Sequence, residues 1–237
     1  LTSAQAASLT TDAVSALNSA QVAAFETADL AQISTASLAS LSTAALAGLS
    51  TAQVAGMGTA QVVNLTTDQV AVLSTNNIRA LTTAQVANLT SDQLSVLTTG
   101  QVKALTTAQV VALGTAQINK LSTDQVSVLT SSQVKAIETS DLVSLSSDQL
   151  ASISTAGVAA LTTDQVVALT TAQVDKLTTG QVAALTSAQV GALETVDLNK
   201  LTTDQVAAIT TTSLRGLTTD QVSKLGTTQL AALTTGQ

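Results

Sequence analysis

The sequence predicts an all-α solenoid of very short helices, one in each eight-residue repeat. Three observations predict it. An eight-residue register runs from Leu1 to Gln237 without insertion or deletion. Two aliphatic positions recur in every octad at a helical spacing. Acidic residues gather early in the octad and basic residues late, the order a helix dipole favours.

The register comes first, because a fixed short period decides the whole architecture. Representative octads read LTTDQVAV from Leu65, LTTAQVAN from Leu81 and LTTDQVVA from Leu161. Position 1 is Leu, with Phe25, Met57, Ile33, Ile137, Ile153 and Ile209 as variants. Position 6 is Val, Leu or Ile except at Ala6. Position 3 is Ser or Thr throughout, and position 5 is mostly Gln.

Three geometries compete for this pattern. In one continuous α-helix, a turn of about 100° per residue makes an eight-residue repeat drift by about 80°. The Leu stripe would then wind around the helix instead of facing a neighbour. A β-solenoid suits Val and Thr, but positions 1 and 6 would point to opposite faces of a strand. It stands as the alternative, with a corner needed in each octad. One short helix per octad puts positions 6 and 1 three residues apart on one face.

In that reading, the Ser or Thr at position 3 is the N-cap and position 4 opens the helix. Position 4 holds Asp12, Asp68, Asp92, Asp124, Asp148, Asp164, Asp204 and Asp220. The bases fall at positions 7 and 8: Arg79, Lys103, Lys120, Lys135, Lys176, Lys200, Arg215 and Lys224. Position 2 follows the helix end, where Gly58, Gly114, Gly226 and Asn18 fit a left-handed exit residue. A helix this short cannot stand alone in water, so stability must come from stacking on neighbouring coils.

A longer period of seven octads divides residues 9–64, 65–120, 121–176 and 177–232 into four blocks of a single continuous array spanning 1–237. Glu occupies position 2 only at Glu26, Glu138 and Glu194, and Gly only at Gly58, Gly114 and Gly226. Tandem duplication explains this period. The charges suggest more: position-4 Asp falls in octads 1, 4 and 6 of a block, and most bases fall in octads 2, 5 and 7. Steps of 3, 2 and 2 describe a stripe on a coil of about two helices with a steady superhelical twist, by analogy with the heptad argument.

Composition narrows the function classes. The chain has no Trp, Tyr, Pro, Cys or His, so the usual catalytic bases and nucleophiles are missing and no enzyme activity is expected. Without Cys there is neither a disulfide framework nor a thiolate metal site. Apolar content of 45 % is too high for a disordered chain. A net charge of −7 argues against a nucleic-acid partner. No apolar run is long enough to span a membrane, and no signal peptide is visible. The chain opens on Leu1 and stops inside an octad, which reads as a piece of something longer.

The most specific polar motif is E-T-x-D-L, at Glu26/Asp29, Glu138/Asp141 and Glu194/Asp197. Two carboxylates three residues apart could share a hard cation such as Ca²⁺; equally, they could replace a Thr–Gln pairing at a helix start that welcomes acids. No catalytic or cofactor-binding residue is expected. The Gln column at position 5 (Gln69, Gln85, Gln93, Gln101, Gln109) either forms amide ladders between coils or is solvated. The Thr columns at positions 2 and 3 raise an ice-binding surface, weakened if position 3 already caps the helix. Asn64 and Asn88 lie in N-L-T sequons, which the repeat creates by itself.

The register L-[TS]-T-x-Q-V-x-x resembles the tandem-repeat regions of very large bacterial secreted or surface proteins of the adhesin-like type, over the whole chain. The resemblance implies an extracellular or cell-surface stalk, spacer or filament, with any adhesive or catalytic domain elsewhere. Self-association, end to end or lateral, is the expected partnership. A binding module for protein, glycan or Ca²⁺ is the rival reading; it lacks the aromatic or Arg anchors such a face would carry.

Overall fold

The computed structural model describes residues 1–237 and is all-helical, with 29 helices of four to six residues and no strands. One helix falls in each complete octad. Positions 1 and 2 connect successive helices in extended conformation, as at Leu81 (φ −54°, ψ 137°) and Thr82 (φ −69°, ψ 158°).

The N-cap lies one residue earlier than the sequence reading places it. Position 2, not position 3, caps the helix. At Thr82 the hydroxyl accepts from the Gln85 backbone N–H at 3.1 Å, and the Gln85 Oε1 accepts from the Thr82 N–H at 2.7 Å. This reciprocal capping box recurs wherever Ser or Thr at position 2 meets Gln at position 5. Cap geometry explains the shift. The third residue of a helix that begins at position 3 is Gln, which can reach back to the cap; one turn measured from position 4 would offer an aliphatic residue, which cannot.

The expected left-handed exit is also absent, since no residue has positive φ. Gly58, Gly114 and Gly226 are N-caps with φ of −65°, −87° and −68°. Asn18 caps with its own side chain, accepting from the Gln21 N–H at 2.9 Å. The chain leaves each helix through an extended aliphatic residue instead of a left-handed one.

Positions 5, 6 and 1 face inward. Val86 and Leu94 are completely buried, and the position-1 residues Leu81 and Leu89 nearly so. These three positions stand at i, i+1 and i+4 on the helix and form one narrow inner face. Position 6 and position 1 share that face as the periodicity predicts.

The chain folds as two compact units, Leu1–Lys120 and Leu121–Gln237. Within each unit, every helix packs on the helix three octads along. In the first, Ser3–Ala7 meets Thr27–Leu30 and Thr51–Gly56 meets Thr75–Ala80. In the second, Thr123–Ser127 meets Ser147–Ser152 and Thr179–Ala184 meets Thr203–Ala208. Side chains reach further, to backbone atoms 28 and 31 residues back. A coil therefore holds between three and four octads, not the two that the charge pattern predicts. A reach of 28 residues fits twice into the seven-octad block.

That count rearranges the charges. Asp68 and Asp92 sit on helices that stack on each other, as do Arg79 and Lys103. These two acids thus form a stacked like-charge pair, whereas Asp12, Asp164, Asp204 and Asp220 stack on no other position-4 Asp, so the acids do not form a single stripe. All four are exposed, where solvent and salt screen them. The stripe failed because exposed charges carry little free energy in an array whose pitch is set by its buried side.

Candidate functional site

The most constrained polar feature of the molecule is the seam between successive coils, built by position 5. Helix geometry turns this residue inward, beside the aliphatic position 6, and burial makes its hydrogen bonds obligatory. Gln85 is 1 % exposed. Its Oε1 closes the capping box, while its Nε2 donates to the carbonyl of Val54 at 3.0 Å and of Met57 at 2.7 Å. One amide thereby ties the start of its own helix to the end of a helix in the preceding coil.

The arrangement repeats along each unit. In the first, Gln61 donates to Leu30 and Ile33, Gln93 to Val62 and Leu65, and Gln109 to Ile78 and Leu81. In the second, Gln165 donates to Val134 and Ile137, and Gln189 to Val158 and Leu161. The column is therefore neither an amide-to-amide ladder nor a solvated row. Each amide bonds backbone instead of the next amide, because each coil presents carbonyls at the helix exit.

Shorter donors fill the same slot. Asn77 Nδ2 reaches Leu49 O at 3.0 Å, Ser37 Oγ reaches Leu9 O at 3.1 Å, and Ser213 Oγ reaches Leu185 O at 2.5 Å. All three keep the 28-residue bond. The position-1 carbonyl has no place in the helical ladder, so this donor is its partner.

The three E-T-x-D motifs interrupt the seam. Glu26, Glu138 and Glu194 occupy N-cap positions, make no side-chain cap bond and are exposed. Asp29, Asp141 and Asp197 take the place of Gln and are buried. The two acids of each pair thus lie on opposite sides of the backbone surface, Glu in solvent and Asp in the seam. No group of three or more acidic side chains converges on any of the pairs. Asp29 accepts from Ser3 Oγ at 2.7 Å, whereas Asp197 Oδ1 is buried without a hydrogen bond. A carboxylate accepts but cannot donate when ionised, so it leaves the waiting carbonyl of the previous coil without the amide that serves its neighbours.

The hydroxyl columns separate by role. Position 2 is used in capping. Position 3 is not: Thr83 and Thr107 are exposed and their hydroxyls make no hydrogen bond within the chain. Asn64 and Asn88 are exposed as well, each donating to a carbonyl of its own helix at 2.8 Å. No helix is long and apolar enough to cross a membrane.

Short helices stacked coil on coil through buried backbone-directed amides define a helical octapeptide solenoid. The matching family model is that of the ALTTAQ repeat, at residues 22–59, 45–75, 55–83, 70–107, 102–136, 134–171, 166–195 and 198–235. The chain belongs to the ALTTAQ repeat family. A comparison with curated proteins finds no match.

Proposed function

We propose that this chain is a structural repeat segment, an extended stalk, spacer or filament piece working outside the cell or on its surface. The carrying observation is the amide seam. Every coil offers donors backward and acceptors forward, so each coil is a template for the next and the array can be lengthened without redesign. Neither charge nor a catalytic side-chain set is concentrated anywhere along it. His, Cys and Tyr, which supply many acid–base and nucleophilic groups, are absent from the composition, which supports a non-enzymatic role. The resemblance to repeats of large bacterial secreted and surface proteins supports the location.

Far-UV circular dichroism with negative-stain microscopy tests this reading. A helical spectrum with narrow, straight-sided rods is expected. A helical spectrum with round, compact particles would remove the stalk or spacer role, and a β spectrum would remove the fold with it.

A second reading has one observation in its favour. With position 2 doing the capping, exposed position-3 hydroxyls such as those of Thr83 and Thr107 face solvent, where they can order water or contact a glycan. Thermal hysteresis of ice growth in the presence of the chain measures the first, and glycan-array binding the second. Values equal to those of a control protein would end this reading and leave the structural one intact.

A further inference from the structure

On one side of the second unit, acid and base are sorted by coil. The helices Thr123–Ser127, Ser147–Ser152, Thr171–Asp175, Thr195–Leu198 and Thr219–Lys224 stack one on the next in that order. Positions 4 and 8 of an octad lie one turn apart on a common side of the helix, so down this stack they form one strip. The first two helices give the strip Asp124 and Asp148, with Val128 and Ser152 at position 8. The next two give it Lys176 and Lys200, with Ala172 and Val196 at position 4. The last carries both signs, and its Lys224 pairs with its own Asp220 at 2.9 Å. Asp124, Asp148, Lys176 and Lys200 are exposed and make no ion pair within the chain, because none of their helices offers the opposite sign one turn away.

We propose that this strip pairs with the same strip of a second copy, laid in the opposite coil direction about a two-fold axis between Ser147–Ser152 and Thr171–Asp175. The proposal rests on the structural reading above and gives the stalk a lateral partner. The occupant is argued from charge complementarity. Read along the stack, the four unpaired charges run minus, minus, plus, plus; reversed, they run plus, plus, minus, minus. Asp124 of one copy then meets Lys200 of the other, Asp148 meets Lys176, and the two symmetric pairs complete the set.

The fold sets the register. The two acids stand one coil apart and so do the two lysines, each 24 residues along the chain. Placing one pair therefore places the next. Reach also fits. The Lys224–Asp220 bond shows a position-8 lysine extending back over position 4 of its own helix. On the lysine-bearing helices that place is taken by Ala172 and by Val196, which is 50 % exposed. An ammonium held there faces position 4 of the other copy, where the Asp stands, and its alkyl stem covers the valine. Pairing in the same coil direction would set Asp against Asp and Lys against Lys. The contact is therefore isologous and closes at two chains. Two more exposed acids lie on these helices, Asp175 and Glu194, and neither pairs with a lysine. They lower the charge of the basic half, so the contact is weak and sensitive to salt.

Sedimentation equilibrium on the whole chain tests the proposal, with circular dichroism confirming that each variant folds as wild type does. Wild type is expected to dimerise and stop at two in about 0.01 M salt, and to dissociate in about 1 M salt. Lys176→Glu with Lys200→Glu makes the strip acidic throughout, and Asp124→Lys with Asp148→Lys makes it basic throughout. Each of these double variants alone is expected to dimerise at least about tenfold more weakly than wild type. Their equimolar mixture is expected to form a complex of two chains. Lys135→Glu with Arg215→Glu makes the same change in net charge on other helix stacks, and is expected to dimerise within about threefold of wild type. A wild-type mass that stays at one chain at millimolar concentration and low salt, or that grows beyond two, overturns the proposal. So does a strip variant that dimerises as wild type does, a mixture that fails to pair, or an off-strip variant weakened as much as the strip variants. Rods seen by microscopy with the mass of one chain would overturn the pairing while leaving the stalk reading in place.

Discussion

Replacing Gln85 with glutamate, alanine or methionine separates the hydrogen bonds of the seam from its packing. Three partners lose the amide. Val54 O keeps a second donor, the Met57 N–H at 3.3 Å. The Thr82 N–H lies at an exposed position where water can replace the lost acceptor. Met57 O has neither recourse, because Met57 is 4 % exposed and the Gln85 amide at 2.7 Å is its donor. An orphaned buried carbonyl costs about 1–3 kcal/mol, and each of the two lesser bonds about 0.5–1.5 kcal/mol. Gln85→Ala loses all three bonds and adds a small cavity, so its cost is about 2–6 kcal/mol. Gln85→Met fills most of the volume and should cost less. Gln85→Glu retains the cap bond but sets a carboxylate against two carbonyl oxygens, and should cost most. Urea denaturation followed by circular dichroism gives the ranking, and amide hydrogen exchange around the Gln85 cap and the preceding coil locates the damage. Because repeat arrays lose stability locally, the two readouts should agree in order. A Gln85→Met variant as stable as wild type would mean that aliphatic packing alone holds the coils, and would refute the account of the seam.

Further predictions rest on single contacts. Asp197→Gln should stabilise the second unit by about 1–3 kcal/mol, because it supplies a donor where a buried carboxylate oxygen now lacks a partner; an unchanged or lower denaturation midpoint would show that the slot is not amide-shaped there. Thr82→Ala should cost about 1 kcal/mol through loss of the cap, while Thr83→Ala should fall within about 0.5 kcal/mol of wild type; the reverse order in urea melts would restore the cap to position 3. Gly48→Ala should destabilise the first unit by about 1–3 kcal/mol, since a β-carbon there collides with the Ser19 carbonyl oxygen, and a neutral midpoint would show that the coils separate easily at this point. Calcium should leave the melting temperature unchanged, because each Glu of the E-T-x-D pairs points to solvent and its Asp lies in the seam; a calcium-dependent rise that Asp29→Asn, Asp141→Asn or Asp197→Asn removes would establish the cation site instead.

Much of the architecture is written in the octad. Its period, the short helix in each unit, and the shared face of positions 6 and 1 follow from local rules that need only neighbouring residues. The cap at position 2 was also legible. Thr82 and Gln85 spell a capping box, but the invariance of Thr83 and its equivalents at position 3 draws attention one residue too far. The invariant hydroxyl is not the one that caps the helix, while the variable position 2 can be Thr, Ser, Asn, Glu or Gly and still adopt the extended cap conformation. The E-T-x-D motif reads equally well as a cation pair or as a variant helix start until its two acids are placed, because spacing along a chain does not say which side of a surface each residue faces.

What the sequence determined by itself is what local rules fix within about one turn of backbone: one short helix in each octad, and the shared inward face of positions 6 and 1. What only the tertiary structure decided is the distance between coils along the chain and the partners of the buried amides. Val54 and Met57 meet Gln85 across 31 and 28 residues of chain, and no local rule specifies that reach. The physical reason is that the pitch follows from how buried aliphatic faces and backbone carbonyls fit against the next layer. The exposed charges, whose pattern is visible in the sequence, interact too weakly through solvent to set it.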